Sequence, residues 1–175
     1  WNRSTTSGET GLKYAGRMTL VTTQIDGPLA TITIDSPPLN LFEAQMIGEL
    51  SQAIEALHAD PPRALLIQAK GEVVSGGVNV EEFKGLNPSQ GSALWSDLLG
   101  LIDRVESLPL PVIFRAHGLT LTAAFELSLA CDFIVASESA KFGLVEIVVG
   151  LTPSMGGTQR LAERAGSGRA RQFVM

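Results

Sequence analysis

The sequence predicts one α/β domain, because short β-rich runs alternate with segments of helical period and no low-complexity linker divides them. Its 175 residues suffice for one compact core and leave little room for a second. That core domain is expected over residues 18–175. Residues 1–17 are polar, lack an apolar period, and predict a disordered leader ahead of Met18.

Taken in order, Thr19–Ile25 and Leu29–Ile34 are β-rich runs split by Asp26-Gly27-Pro28, which predicts a hairpin. Apolar residues at Phe42, Met46, Leu50, Ala53, Ile54 and Leu57 follow helical spacing, and Asp60-Pro61-Pro62 stops that helix. Ala64–Ala69 has strand length. A glycine-containing loop spans Gly71–Gly77, and a short helix is expected at Glu81–Lys84. Ser92–Leu108 is again helical, Val112–Arg115 a strand, Thr122–Ala130 a buried helix, and Phe133–Ala136 a strand. Gly156–Ala165 predicts a helix, and a new one begins near Ser167.

Composition narrows the function. A formal charge of −5 argues against nucleic acid, which needs clustered Lys and Arg, but leaves a phosphorylated ligand open. Cys131 is the single cysteine, so no intrachain disulfide forms within this sequence, and core packing is its expected role. His58 and His117 are the only histidines, and no zinc spacing occurs, so no metal is expected. The most apolar window, Leu119–Ala136, is interrupted by Glu126 and Asp132 and reads as core rather than a bilayer span. A cytoplasmic protein without a membrane partner is the expectation.

Three stretches carry chemistry. The first, Ser75-Gly76-Gly77-Val78-Asn79, is a turn before a helix start, where backbone can approach a ligand and N–H groups point outward. The second, Gly118-Leu119-Thr120-Leu121-Thr122-Ala123-Ala124-Phe125-Glu126, puts a carboxylate on an apolar helix. Burying it ionised is costly, so Glu126 is paired, neutral or facing a cavity. The third, Lys141-Phe142-Gly143-Leu144-Val145-Glu146, sets another carboxylate among apolar residues and is followed by Gly156-Gly157-Thr158-Gln159-Arg160-Leu161. On its own Glu146 could equally be an outward residue of a short element.

Together and in this order, these stretches resemble the crotonase superfamily, the enoyl-CoA hydratase/isomerase family. Cys131-Asp132, Lys141-Phe142-Gly143 and the Gly156–Leu161 run are the most specific parts. Asp35–Leu41 also resembles the family's early proline-containing loop with an Asn before the first helix. The resemblance covers Thr19 to about Gln172.

It implies a spiral of β-β-α turns with an acyl-CoA thioester between neighbouring turns. It further implies an oxyanion hole from the Val78 and Ala123 amides, Glu126 activating water, and Glu146 exchanging a proton at the α-carbon. Ser75, Gly76, Gly77, Asn79 and Gly118 are the expected substrate-binding residues. No cofactor is implied, since coenzyme A is part of the substrate, and a homo-oligomer, trimer or hexamer, is expected.

Three departures from the family pattern stand out. Gly76-Gly77-Val78-Asn79 replaces Ala-Gly-Ala-Asp. Thr122-Ala123-Ala124 replaces a glycine run, and its β-carbons call for an ordinary backbone conformation. The usual C-terminal helical region is absent from this sequence, which predicts a fragment or an unusual assembly. Double-bond isomerisation and a non-catalytic acyl-CoA-binding scaffold are the alternatives. A more distant one is serine hydrolysis by Ser75, His117 and Asp132, which occur in a suitable order. Arg160 is expected to be a structural ion-pair former.

Overall fold

The structure, a computed structural model, describes residues 18–175; the leader expected over 1–17 lies outside the described residues. Strands β1 (Val21–Asp26) and β2 (Leu29–Ile34) form the expected hairpin, with Gly27 supplying the positive φ of the turn. Helix α1 (Ala44–Ala59) buries Met46, Ile47, Leu50, Ile54 and Leu57, and β3 (Ala64–Ala69) follows. A 3₁₀ turn at Val80–Phe83 leads to α2 (Pro88–Glu106). That helix begins four residues earlier than apolar periodicity predicts. Asn87 and Gln90 form a reciprocal capping box around Pro88, which satisfies amides that burial leaves to solvent.

Strand β4 (Val112–Ala116) precedes a three-residue strand β5 (Leu119–Leu121), helix α3 (Ala123–Ala130), β6 (Phe133–Ala136) and another short strand β7 (Lys141–Gly143). A 3₁₀ turn at Glu146–Val149 and helices α4 (Gly157–Ala165) and α5 (Ser167–Val174) complete the chain.

The main sheet runs in the order β1-β2-β3-β4-β6, antiparallel only in the first pair. A second ladder runs beside it. Phe42 bridges Val78, Ser75 bridges Thr120, and β5 pairs with β7, all parallel. Each circuit of the chain therefore gives one strand to the main sheet, one short segment to the second ladder, and then a helix. This is the expected spiral of β-β-α turns, and it makes neighbouring loops of successive turns stack.

The core lies between the main sheet and α1–α3, with Phe42, Phe114, Ile32, Leu65, Ile67, Leu98 and Leu101 almost wholly buried. All eight residues of α3 are buried, so this helix is apolar all round except where chemistry intervenes. Among the described residues no helix is long and apolar enough to cross a membrane.

Candidate active site

Ser75 starts the construction. Its hydroxyl donates to the Asn40 carbonyl at 2.7 Å and accepts from the Gly77 amide at 3.0 Å. Asn40 in turn accepts from Ser36 and donates to the Lys70 and Val73 carbonyls, tying two turns of the spiral together. Backbone bonds from Val74 and Ser75 to Leu119, and from Leu121 to Ser75, lock this loop against β5.

The lock sets Gly77 against Thr122. A β-carbon on Gly77 would stand 2.1 Å from Thr122 Oγ1, and Gly77 has φ +106°, so glycine is required twice over. Thr122 itself has φ +45° and ψ −115°, contrary to the ordinary conformation expected for a residue with a β-carbon. The bond from its amide to the Gly143 carbonyl and the bond from Glu126 N–H to its own carbonyl hold that strained backbone in place. Val78 and Ala123 directly follow the two residues in contact. Neither of their amides donates a hydrogen bond among the described residues, and both residues line one cleft.

That cleft has an empty volume of about 710 Å³, its open mouth included. Glu126 and Glu146 lie on its wall with Thr122, Val145, Val148 and Met155. The stacked rings of Phe83 and Trp95, 5.3 Å between centroids, form another side. An apolar wall around two carboxylates explains their titration. Burial, together with the charge of Glu146, pushes Glu126 up to about 7 against the pull of amide donors from Gly157, Met155 and Ser154. Burial also raises Glu146 above the usual carboxylate range. The negative charge of Glu146 thus adds to burial in holding Glu126 protonated.

Their anchoring differs. One Glu126 oxygen, Oε1, accepts from Met155 N at 3.0 Å and Gly157 N at 2.7 Å, at the opening of α4. Both Glu146 oxygens are buried with no hydrogen-bond partner among the described residues. Glu146 sits on the 3₁₀ turn and is only 8% exposed, which rules out the outward-facing alternative.

Of the five expected substrate-binding residues, only Gly76 lines the cleft. Ser75 is wholly buried and spent on the loop brace, and Gly77 packs on Thr122. The Asn79 side chain caps the 3₁₀ turn by accepting from Glu81 N. Gly118 lies against the Glu72 carbonyl, 2.5 Å from where its β-carbon would stand. The serine triad does not assemble. Ser75 serves Asn40, His117 Nε2 meets the Gly71 carbonyl at 2.9 Å, and Asp132 accepts from Val112 N.

Cys131 is buried in the core, its thiol pushed up to about 12 by burial, as its packing role requires. Phe83, Trp95 and the Met155 amide were not expected at the cleft. Phe83 stands among Glu81, Glu82 and Lys84, an aromatic in a polar stretch, whereas Trp95 falls within the helical run Ser92–Leu108 and gives no such sign.

The chain matches the family model described as "Enoyl-CoA hydratase/isomerase" over residues 24–175. It is 33% identical over 159 residues to a probable enoyl-CoA hydratase of Bacillus subtilis, covering 90% of this chain and 62% of that protein. It is 36% identical to a probable enoyl-CoA hydratase of Rhizobium meliloti, covering 89% and 60%. The crystal structure of an enoyl-CoA hydratase from Bacillus anthracis superposes with a TM-score of 0.82 at 30% identity, over 89% of this chain and 62% of that one. The chain thus spans about three-fifths of the length of these relatives.

Proposed function

The chain belongs to the enoyl-CoA hydratase/isomerase family, and on that premise we propose that it adds water across the double bond of a 2-enoyl-CoA thioester. The observation that carries this reading is the sharing of one cleft by two carboxylates and two amides without acceptors, Val78 and Ala123.

The chemistry then follows. The thioester carbonyl oxygen accepts from the Val78 and Ala123 amides. Each could lower the barrier by a few kcal/mol, since negative charge grows there in the enolate. Glu126, held by two N–H groups, takes a proton from water as the water oxygen bonds to the β-carbon. The π electrons move to the carbonyl oxygen, and Glu146 delivers its proton to the α-carbon as the enolate collapses. One proton enters the pair as another leaves, so the pair must hold a single proton near neutral pH.

With Glu126 lifted to about 7, that proton favours Glu126 in the empty cleft. This is the starting state for the reverse step, loss of water from a 3-hydroxyacyl thioester. Hydration starts from the other tautomer of the same pair. Both carboxylates in the cleft favour water addition over isomerisation, which needs only one. No cofactor enters this chemistry, because coenzyme A arrives with the substrate. An apolar ridge at the mouth, with Val148 81% exposed and Val149 56%, supports assembly as a homo-oligomer, which mass measurement in solution tests.

The decisive measurement is the loss of conjugated-thioester absorbance with crotonyl-CoA and longer enoyl-CoAs. Glu126→Gln and Glu146→Gln should each reduce the rate by at least about a hundredfold. Full activity in both variants would overturn the mechanism, and silence of the parent on every chain length would leave a binding scaffold.

A further inference from the structure

The turn that gives Glu126 Oε1 its two amides is itself held by a side chain of α4. Arg160 donates through Nη1 to the Met155 carbonyl at 3.2 Å, so it grips the turn whose N–H groups hold Glu126. The same guanidinium makes a two-pronged contact with Glu106 on α2, Nε to Oε1 at 3.0 Å and Nη2 to Oε2 at 2.5 Å. Asp103 stands 3.7 Å away. Gly156 has φ +86°, and a β-carbon there would fall 2.0 Å from Arg160 Nη1, so the turn is shaped around the guanidinium. The arginine side chain is only 15% exposed, while Glu106 is half exposed.

We infer that Arg160 is a positioning residue for Glu126. Clamped to Glu106, it holds the Met155–Gly157 turn so that two backbone amides aim at one carboxylate oxygen. The clamp joins α2 to the opening of α4, and α4 to a carboxylate on α3. An ordinary surface ion pair would contribute little, but this one is forked, mostly shielded on the arginine side, and fixes a backbone turn. Its grip acts on Glu126 through the backbone: the Met155 and Gly157 amides, not the guanidinium itself, touch the carboxylate. Loss of the clamp therefore weakens the ionised form of Glu126 by loosening the amide donors that favour it.

The inference rests on the reading of Glu126 as an acid/base group, and its test does not require turnover. The Glu126 carboxyl is titrated by NMR in the isotope-labelled free protein, with Glu126→Gln assigning the signal. Arg160→Gln should move the midpoint upward by roughly one unit. Glu106→Gln should move it the same way by less, and Arg160→Lys, which keeps the charge without the fork, should lie between Arg160→Gln and the parent. In the hydration assay the same order should appear on the pH profile of kcat/KM, with kcat falling and KM nearly unchanged.

A lower melting temperature with an unmoved Glu126 midpoint in both Arg160→Gln and Glu106→Gln would reduce the clamp to a structural brace and overturn the inference. Glu106→Gln leaves the arginine in place and carries the test if Arg160→Gln does not fold. A moved midpoint in a protein that hydrates no enoyl-CoA supports the positioning role and removes the proposed reaction instead.

Discussion

Glu126 and Gly157 interlock: the Gly157 amide nitrogen lies 2.7 Å from Glu126 Oε1, and a β-carbon on Gly157 would stand 2.6 Å from Glu126 Cγ. The contact that orients the carboxylate is thus also the contact that forbids any side chain at position 157. Gly157→Ala should push Glu126 off both amides. A displacement near 1 Å predicts a loss of about a hundredfold in kcat, with about 1–3 kcal/mol of stability lost to overpacking. Steady-state kinetics and denaturant unfolding check both.

Stability should also depend on pH through Glu126. Its folded value is raised from 4.5 to about 7, so the unfolded chain ionises first as pH rises. The protein is then most favoured below about pH 4.5 on this group's account, loses stability up to about 7, and is unaffected by it above. Glu126→Gln removes that slope. The gap between variant and parent should widen by something on the order of 3 kcal/mol across the window. Urea unfolding at several pH values measures it, and parallel curves for the two proteins would contradict it.

Thr122 and Gly77 should behave as a coupled pair. Thr122→Gly relieves a positive φ that costs a β-branched residue on the order of 1–3 kcal/mol, so it should be neutral or stabilising despite the flexibility it adds. Gly77→Ala should destabilise by about 2 kcal/mol or more, through the clash with Thr122 Oγ1 and its own φ of +106°. In the double variant the clash is gone and only the backbone penalty remains. A double-mutant cycle should therefore show coupling of about 1 kcal/mol or more.

Ser75 offers a contrast, because its hydroxyl is buried and makes its bonds within the loop. Ser75→Ala should cost about 1–3 kcal/mol, since it leaves the Asn40 carbonyl and the Gly77 amide short of a partner. Serine-directed fluorophosphonates should not label the parent protein. Labelling at Ser75 would reopen the hydrolase reading.

Much of the fold and of the site is legible in the sequence. Periodicity marks α1, β2, β3 and β4 because each buries a regular face, whereas α3, buried all round, and β1 and β6, which bury one residue and none, are marked by apolar or β-rich composition between turns. Strands β5 and β7 were not legible, since three residues cannot display an alternation. The start of α2 was missed by following apolar residues, although Asn87-Pro88-Ser89-Gln90 spelled a capping box. At the site, Glu126 and Glu146 stood out as carboxylates in apolar runs. Ser75 was misleading because a serine in a glycine loop gives no sign of which way its hydroxyl turns. The strained backbone of Thr122 had no local signature at all, because a neighbouring turn imposes it. Arg160 looked like an ordinary ion-pair former because its grip on the Met155 carbonyl depends on a glycine with positive φ beside it.

Ala123 and Glu126 both belong to α3, three residues apart on a helix buried on every side. Their spacing along the axis is therefore about 4.5 Å by helical rise alone, and no packing defect elsewhere can alter it without breaking the helix. If one grips the thioester oxygen and the other handles water, the fold carries its own measuring rod between the carbonyl and the carbon to be hydrated. Val78 and Glu146 arrive on neighbouring coils and can drift with loop sequence. Variation among such proteins should accordingly tune what the site accepts through those two positions, while the distance fixed by α3 stays the same.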